Sequence, residues 1–288
     1  MSEGFSIIKV DDLSKPATVL IEKIAGAVGG YFKPYQIRRV AKAEAEADKI
    51  KAEAQIKITD LHRRAVNRFI SEEAKRQENI ENITEKAIPL LNESSNPQNM
   101  EDDWITNFFD KCRIISDEEM QQLWAKILAG EANIPGTYSK YTVNLMGSLY
   151  KEDAMLFTKL CGYIWQIYGE PFPLIFDDKE SIYNEQSINF GKLTHLDDIG
   201  LINFESLAGF KRLKLPQKIT IQYYGIFLNI EFQNPENNEL GVGNVLLTYT
   251  GKQLSLVCVS QQIEGFYDFV IEKWSKEKFI LSSPLNKK

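Results

Sequence analysis

The side chains that carry most protein chemistry are scarce in this chain. There are two histidines, His62 and His195, and three cysteines, Cys112, Cys161 and Cys258. His195 stands two residues before Asp197-Asp198, and a His-x-Asp-Asp run offers an imidazole and carboxylates to a divalent cation. No second histidine lies near it in sequence, and helix N-terminal capping accounts for the aspartates more simply. His62 lies beside Arg63 and Arg64, where a solvated helix face explains it. Asp102/Asp103, Asp177/Asp178 and Asp197/Asp198 are carboxylate pairs of the kind that hold a divalent ion, but each falls at an expected loop or cap. Gly241-Val-Gly243 lacks the third glycine and the following helix that cradle a phosphate, so it reads as a turn. No P-loop, Gly-x-Ser-x-Gly elbow or Cys-x-x-Cys motif occurs. The residues predict no catalytic group, no cofactor and no metal, and hence a protein that is not an enzyme.

Composition narrows the remaining classes. The chain has 288 residues, room for two domains at about 150 residues each. It carries 34 Lys and Arg against 40 Asp and Glu, a net charge of −6. Phosphate neutralisation needs a basic excess, so nucleic acid is not the expected partner. The acid excess lies in residues 100–288, with 25 acids to 18 bases, whereas residues 1–99 have 15 to 16. Three widely spaced cysteines in apolar settings suit buried thiols in a reducing compartment. The first ten residues lack the apolar stretch of a signal peptide. Val19 to Val28 is interrupted by Glu22 and Lys23 and is far short of the ~20 residues that span a bilayer. A cytoplasmic location is expected.

With no chemistry to position, the elements themselves become the candidates. Ser14 is a helix N-cap with Pro16 in the first turn, and Leu20, Ile21, Ile24 and Val28 then share one helical face. Gly29-Gly30 loosens that helix, and Tyr31, Phe32, Lys33, Tyr35, Arg38 and Arg39 follow. An apolar face, then aromatics, then bases is what an interfacial helix needs at an anionic membrane surface. The same face serves equally as packing against the long helix or another subunit, and both readings stay open here. From Gln36 to Ile88 there is no glycine or proline. A single stripe runs through Ile37, Val40, Ala47, Ile50, Ala54, Ile58, Leu61 and Phe69, fails between Glu72 and Asn79, and resumes at Ile80 and Ile83. That pattern predicts a coiled coil or helical hairpin, and a helix with so thin an apolar face needs a partner.

Asn92 to Pro97 reads as a linker. Beyond it, Trp104, Ile105, Phe108, Phe109 and Cys112 predict one helix. Ser116-Asp-Glu-Glu119 predicts a capping box for the next, which carries Trp124 on its core face and closes at Gly130. Helices are also expected over 140–149 and from Lys151 through Ile164 and Ile167. Strand signals follow at Leu174–Phe176, Ile219–Phe232 around Gly225, Val245–Tyr249 and Phe279–Leu281, with short helices at Leu193–Leu201, from Thr250 and at Phe266–Trp274. The expected fold is α+β, mainly α. A helical, coiled-coil arm over residues 1–95 would precede a helical domain over 96–288 with winged-helix-like β elements. Lys211, Arg212, Lys214 and Lys218 are its one basic cluster and the candidate contact for DNA, which is the alternative function.

Ile115-Ser-Asp-Glu-Glu-Met-Gln-Gln-Leu-Trp-Ala-Lys-Ile-Leu128 followed by Leu145-Met-Gly-Ser-Leu-Tyr-Lys-Glu-Asp-Ala154 resembles the core of bacterial Abi-alpha-type proteins. Leu193 to Ile202 and Leu247 to Leu254 are similar to the segments that follow there. As a whole the chain looks like the uncharacterised bacterial domain-of-unknown-function family numbered 2806. The matching positions are packing residues over roughly 100–258, so the resemblance carries over no catalytic residue. It implies a link to abortive infection and phage defence. The function expected is a non-catalytic interaction protein of phage defence, a homo-oligomer built through the helical arm, with a further protein partner and a role at the inner face of the membrane.

Overall fold

Ser14 opens the first helix as predicted. Its hydroxyl accepts a hydrogen bond from the Ala17 N–H at 3.4 Å, and α1 runs Lys15–Val28. The computed structural model describes residues 13–28, 60–277 and 279–282. Within them the chain is α+β and mainly helical. It forms two compact units, Met1–Gly147 and Ser148–Lys288.

In the first unit, α2 (Asp60–Ala87) follows from a stretch without helix breakers, and Pro89 ends it in a 3-10 turn, Ile88–Leu90. Its buried residues start at Asn79 and include Ile80, Ile83, Thr84 and Ala87, which pack on α4 (Glu118–Asn133). Between them in sequence, α3 (Asp102–Cys112) buries Trp104, Ile105, Phe108, Phe109 and Cys112. It packs on α1 and on α5 (Lys140–Met146). Phe108 stacks on Trp104 and meets Trp124 edge-on, each with ring centroids 5.1 Å apart, so Trp124 is core, as its helical face predicts.

Several expectations are corrected here. The cap of α4 is Asp117, whose carboxylate accepts from Met120 N–H at 3.0 Å, and not Ser116. Gly130 does not close that helix. It lies inside it, where a Cβ would stand 2.7 Å from the ring of Tyr138. The boundary expected at 95/96 falls instead at 147/148. Asn92–Pro97 is no linker, since Asn92 N–H donates to Asn133 Oδ1 at 2.9 Å and Asn96 N–H to Ala132 O at 3.0 Å. Those bonds fasten the segment to the end of α4, so both flanks share one core.

The second unit opens with α6 (Lys151–Cys161), which stops at Gly162. Ile164 and Ile167, expected to extend this helix, lie in strand β1 (Ile164–Ile167). Trp165 and Ile167 are buried there while Ile164 and Gln166 are half-buried, the period of two that marks a strand. β1 turns into β2 (Glu170–Pro173) through Tyr168-Gly169, both at positive φ. The same device joins β5 (Lys218–Tyr223) to β6 (Ile226–Phe232) through Tyr224-Gly225. Positive φ at both central residues gives the turn whose twist matches a hairpin. With β9 (Phe279–Ser282) these strands make an antiparallel sheet in the order β2-β1-β5-β6-β9.

The unit's further helices are α7 (Ser181–Asn184), α8 (Phe190–Asp198), which packs on α6, and α10 (Phe266–Ser275), which packs on β9. Two smaller ladders pair β3 (Ile202–Phe204) with β8 (Val245–Leu247), and β4 (Phe210–Leu215) with β7 (Asn238–Gly243). β8 leads into α9 (Tyr249–Ser255), capped by Thr248. The core is aromatic. Trp165 stacks on Tyr223 at 5.1 Å and on Tyr267 at 5.4 Å, and Trp274 meets it edge-on. The hydroxyls of Tyr163, Tyr183 and Tyr223 donate to the carbonyls of Ile182, Leu174 and Gly162, and burial raises all three hydroxyls, Tyr223 to about 12.

Candidate functional site

The surface that most needs an explanation is on α2. None of residues 60–78 is buried, although the helix continues into the core from Asn79. Leu61 and Phe69 are each 64 % exposed, Val66 46 % and Ile70 38 %. Leu61, Ala65 and Phe69 stand four residues apart, as do Val66 and Ile70, so they form two adjacent rows over about three turns. Ion pairs brace the helix beside them. Asp60 holds Arg63 and Arg64, and Glu72 and Glu73 hold Arg76. Such i,i+4 pairs contribute ~0.3–0.5 kcal/mol each, too little to keep an isolated helix of this length folded. Leu61 and Phe69 of the predicted stripe are thus found at the surface, while Ile37, Val40, Ala47, Ile50, Ala54 and Ile58 lie outside the described residues.

Polar residues lock the seated part of the same helix. Asn79 Nδ2 donates to Arg113 O at 2.8 Å, Gln121 Nε2 donates to Asn79 Oδ1 and to Ile115 O, and Lys86 Nζ donates to Gln121 Oε1 at 3.1 Å. Asn79 and Gln121 are buried, so their bonds fix one register of α2 on α4. The failure of the stripe between Glu72 and Asn79 is therefore where an exposed helix becomes a seated one.

The face of α1 offered to lipid is occupied. Ala17, Leu20 and Ile24 are at most 1 % exposed, packed toward α3 and the 3-10 turn Pro97–Asn99. Ile21 is half-buried, Val28 is at the surface, and Lys23 is ion-paired with Asp102. Leu20 and Ile24 are packing residues, and a lipid contact would have to extract them. Tyr31, Phe32, Lys33, Tyr35, Arg38 and Arg39 lie outside the described residues. No helix of the described residues is long and apolar enough to cross a membrane.

The basic cluster is partly neutralised. Lys211 pairs with Glu239 at 3.0 Å and Lys218 with Glu231 at 3.1 Å. Arg212 acts on Glu170, whose carboxyl is held below the ordinary range chiefly by its hydrogen bond to Lys252. Lys214 sits at positive φ where the β4–β7 register shifts.

The histidine and acidic pairs resolve into structural roles. His195 Nε2 lies 2.6 Å from Asp153 Oδ1, and the other Asp153 oxygen accepts from Tyr150 N–H at the start of α6. Asp197 and Asp198 are at the C-terminal end of α8, whose N-cap is Asn189, so their expected capping role is corrected. Asp102 and Asp103 occupy the first turn of α3, where the helix dipole favours carboxylates. Asp177 and Asp178 line an open cleft of about 480 Å³ together with Phe176, Phe190, Leu207 and Asn244. Sequence reasoning missed this cleft, because its loops are far apart in sequence and are joined by the approach of Gly243 to Ile175 and by the backbone bonds of Asn244 to Ile175 and Glu205. Among the described residues no group of three or more His, Cys, Asp or Glu is placed to hold a metal.

No curated protein and no solved structure matches the chain. One family does, described as "Protein of unknown function (DUF2806)", over residues 63–271, a span that takes in most of the exposed half of α2 and ends within α10. The chain belongs to that family of proteins of unknown function.

Proposed function

We propose that this protein is a non-catalytic, self-associating interaction protein whose assembly surface is the exposed face of α2, paired with the same face of a second copy. The observation that carries the reading is the exposure of Leu61, Val66, Phe69 and Ile70 on a helix anchored at its other end. Two features favour a second copy over this chain's own preceding segment. From Gln36 to Ile88 the sequence contains no glycine or proline to turn the chain back on itself. The charge is also self-complementary. Asp60, Arg63, Arg64 and Arg68 make the first turns basic, while Glu72, Glu73, Lys75, Arg76 and Glu78 leave a net negative charge on the later ones. An antiparallel pair sets one against the other.

The role in which such assembly acts is phage defence of the abortive-infection kind, a reading that rests on the resemblance of residues 115–154 to Abi-alpha-type proteins and on nothing in the geometry. A role for α1 at the membrane surface has lost its apolar anchor to core packing and forms no part of the proposal. A second reading, a winged-helix-type DNA-binding regulator, draws on α8 and α9 flanking the antiparallel pair β3 and β8, between which β4 to β7 are inserted in the chain. Its basic residues already have acidic neighbours in three of four positions, which weakens it. Anisotropy with duplex DNA at low salt tests it, and absence of binding removes it.

Light scattering coupled to gel filtration tests the main reading on the full chain and on Leu61→Glu/Phe69→Glu. The expected result is a mass of two or more chains that falls to one in the variant, with the thermal unfolding of the remaining core unchanged. A monomeric wild type at every concentration overturns it. So does a variant that stays monomeric like its parent but loses helix content, which would mean that segment 36–58 folds back on α2.

A further inference from the structure

The strongest unassigned chemistry lies in the second unit, where two thiols from distant parts of the sequence meet. Cys161, the last residue of α6, is buried, and its side chain is hydrogen-bonded to that of Cys258 in the segment between α9 and α10. Cys258 is half-buried, and Thr158, one turn before Cys161, brings its Oγ1 to 3.5 Å from the Cys258 sulfur. Independent contacts hold the two backbones together. A side chain on Gly162 would approach Gln261 O and Ile263 Cδ1 to 3.0 Å, so the segment lies directly against the end of the helix. Tyr223 clasps both, its hydroxyl donating to Gly162 O at 2.8 Å and accepting from Ile263 N–H at 3.0 Å. From the hairpin tip, Tyr224 Oη is 2.5 Å from Ser260 Oγ.

We propose that Cys161 and Cys258 are a peroxide-responsive dithiol that closes to a reversible intramolecular disulfide. Cys161 is buried and Cys258 half-buried, so Cys258 is the sulfur that peroxide reaches and the attacking group, while burial holds the Cys161 thiol above its ordinary value. Its thiolate attacks hydrogen peroxide; an S–O bond forms, the O–O bond breaks and hydroxide leaves, giving a sulfenic acid. The Cys161 sulfur then attacks the Cys258 sulfur; the S–S bond forms, the S–O bond breaks, and the departing hydroxide takes the Cys161 proton as water. In sum, two thiols and one peroxide give one disulfide and two waters. A thiol donor such as dithiothreitol returns the electrons. Cys112 is buried in the other unit and serves as the internal control.

The full chain, reduced and freed of reductant, is treated with hydrogen peroxide, alkylated after denaturation and digested for mass spectrometry. The expected product joins the peptides of Cys161 and Cys258 with the loss of two hydrogens, leaves Cys112 alkylated and disappears with dithiothreitol. Cys258→Ser should leave Cys161 fully alkylated, and Cys161→Ser should leave a sulfenic acid on Cys258 that dimedone traps. The wild-type result is a covalent readout and does not depend on the variants folding. The proposal is overturned if all three thiols survive while a small dithiol in the same tube is oxidised. It is equally overturned if Cys258 proceeds to sulfinic acid with Cys161 untouched, or if the links join separate chains.

Discussion

Glu131 is 3 % exposed and yet both of its oxygens are used, accepting from Gly136 N–H at 2.6 Å and Tyr138 N–H at 2.8 Å. Those bonds set the turn that returns the chain from α4 to α5. Desolvation nevertheless outweighs them and raises the carboxyl above its ordinary range. The native state therefore retains a proton that the unfolded chain releases near pH 4.3, and this residue makes the fold less stable as pH rises from there through the raised native value. Glu131→Gln titrates in neither state. Its unfolding free energy minus that of the wild type should climb across that window, and a difference independent of pH would refute the assignment. Removing the side chain as Glu131→Ala takes the acceptor from the buried Tyr138 N–H and from the more open Gly136 N–H, an expected loss of about 1–3 kcal/mol by denaturant titration. None of this was legible in the sequence, where Glu131 is one of many acids. Trp124 and Phe108 were legible, because helical spacing alone puts them on a core face.

Helical glycines show what an element's surroundings decide. Gly251 in α9 lies so close to the backbone of Leu201 that a Cβ would sit 2.0 Å from its carbonyl oxygen. Alanine there gains about 1 kcal/mol of helix propensity. It must also displace a backbone, and overpacking on that scale costs more, so Gly251→Ala should lose roughly 2 kcal/mol or more. Gly26 in α1 has nothing within 4 Å of the same position. Gly26→Ala should therefore raise stability by about 0.5–1 kcal/mol, and thermal melts of the two variants should move in opposite directions. The elements read correctly from sequence were those with long apolar periods, such as α3, α4 and α10, and the hairpin around Gly225. Those misread or missed were short. The apolar run Ile164–Ile167 is compatible with helix until Gly162 and the Tyr168-Gly169 turn are given weight, and β4 exposes Lys211 to Lys214, so it has no inward face to announce it.

Across the whole molecule, the arrangement of α2 predicts a gradient of amide exchange. Residues 79–87, seated on α4, should be protected at any concentration, whereas 61–78 should exchange fast in dilute protein and slow as copies associate. Slow exchange of 61–78 independent of concentration would contradict pairing between copies. The failure of the apolar stripe between Glu72 and Asn79 marked in the sequence where the exposed stretch of α2 ends. The sequence could not place the domain boundary, because the bonds of Asn92 and Asn96 to the end of α4 join residues some forty positions apart. The lock formed by Asn79, Gln121 and Lys86 has a mechanical consequence. Residues 60–78 extend roughly 28 Å beyond it at the helical rise. A tilt of about 5° at the seat swings the tip through roughly 2.5 Å, so α2 is a lever with its fulcrum at Asn79. Whatever grips the far end of that lever exerts torque on the aromatic core of the first unit, where Trp124 would report it as a change in fluorescence.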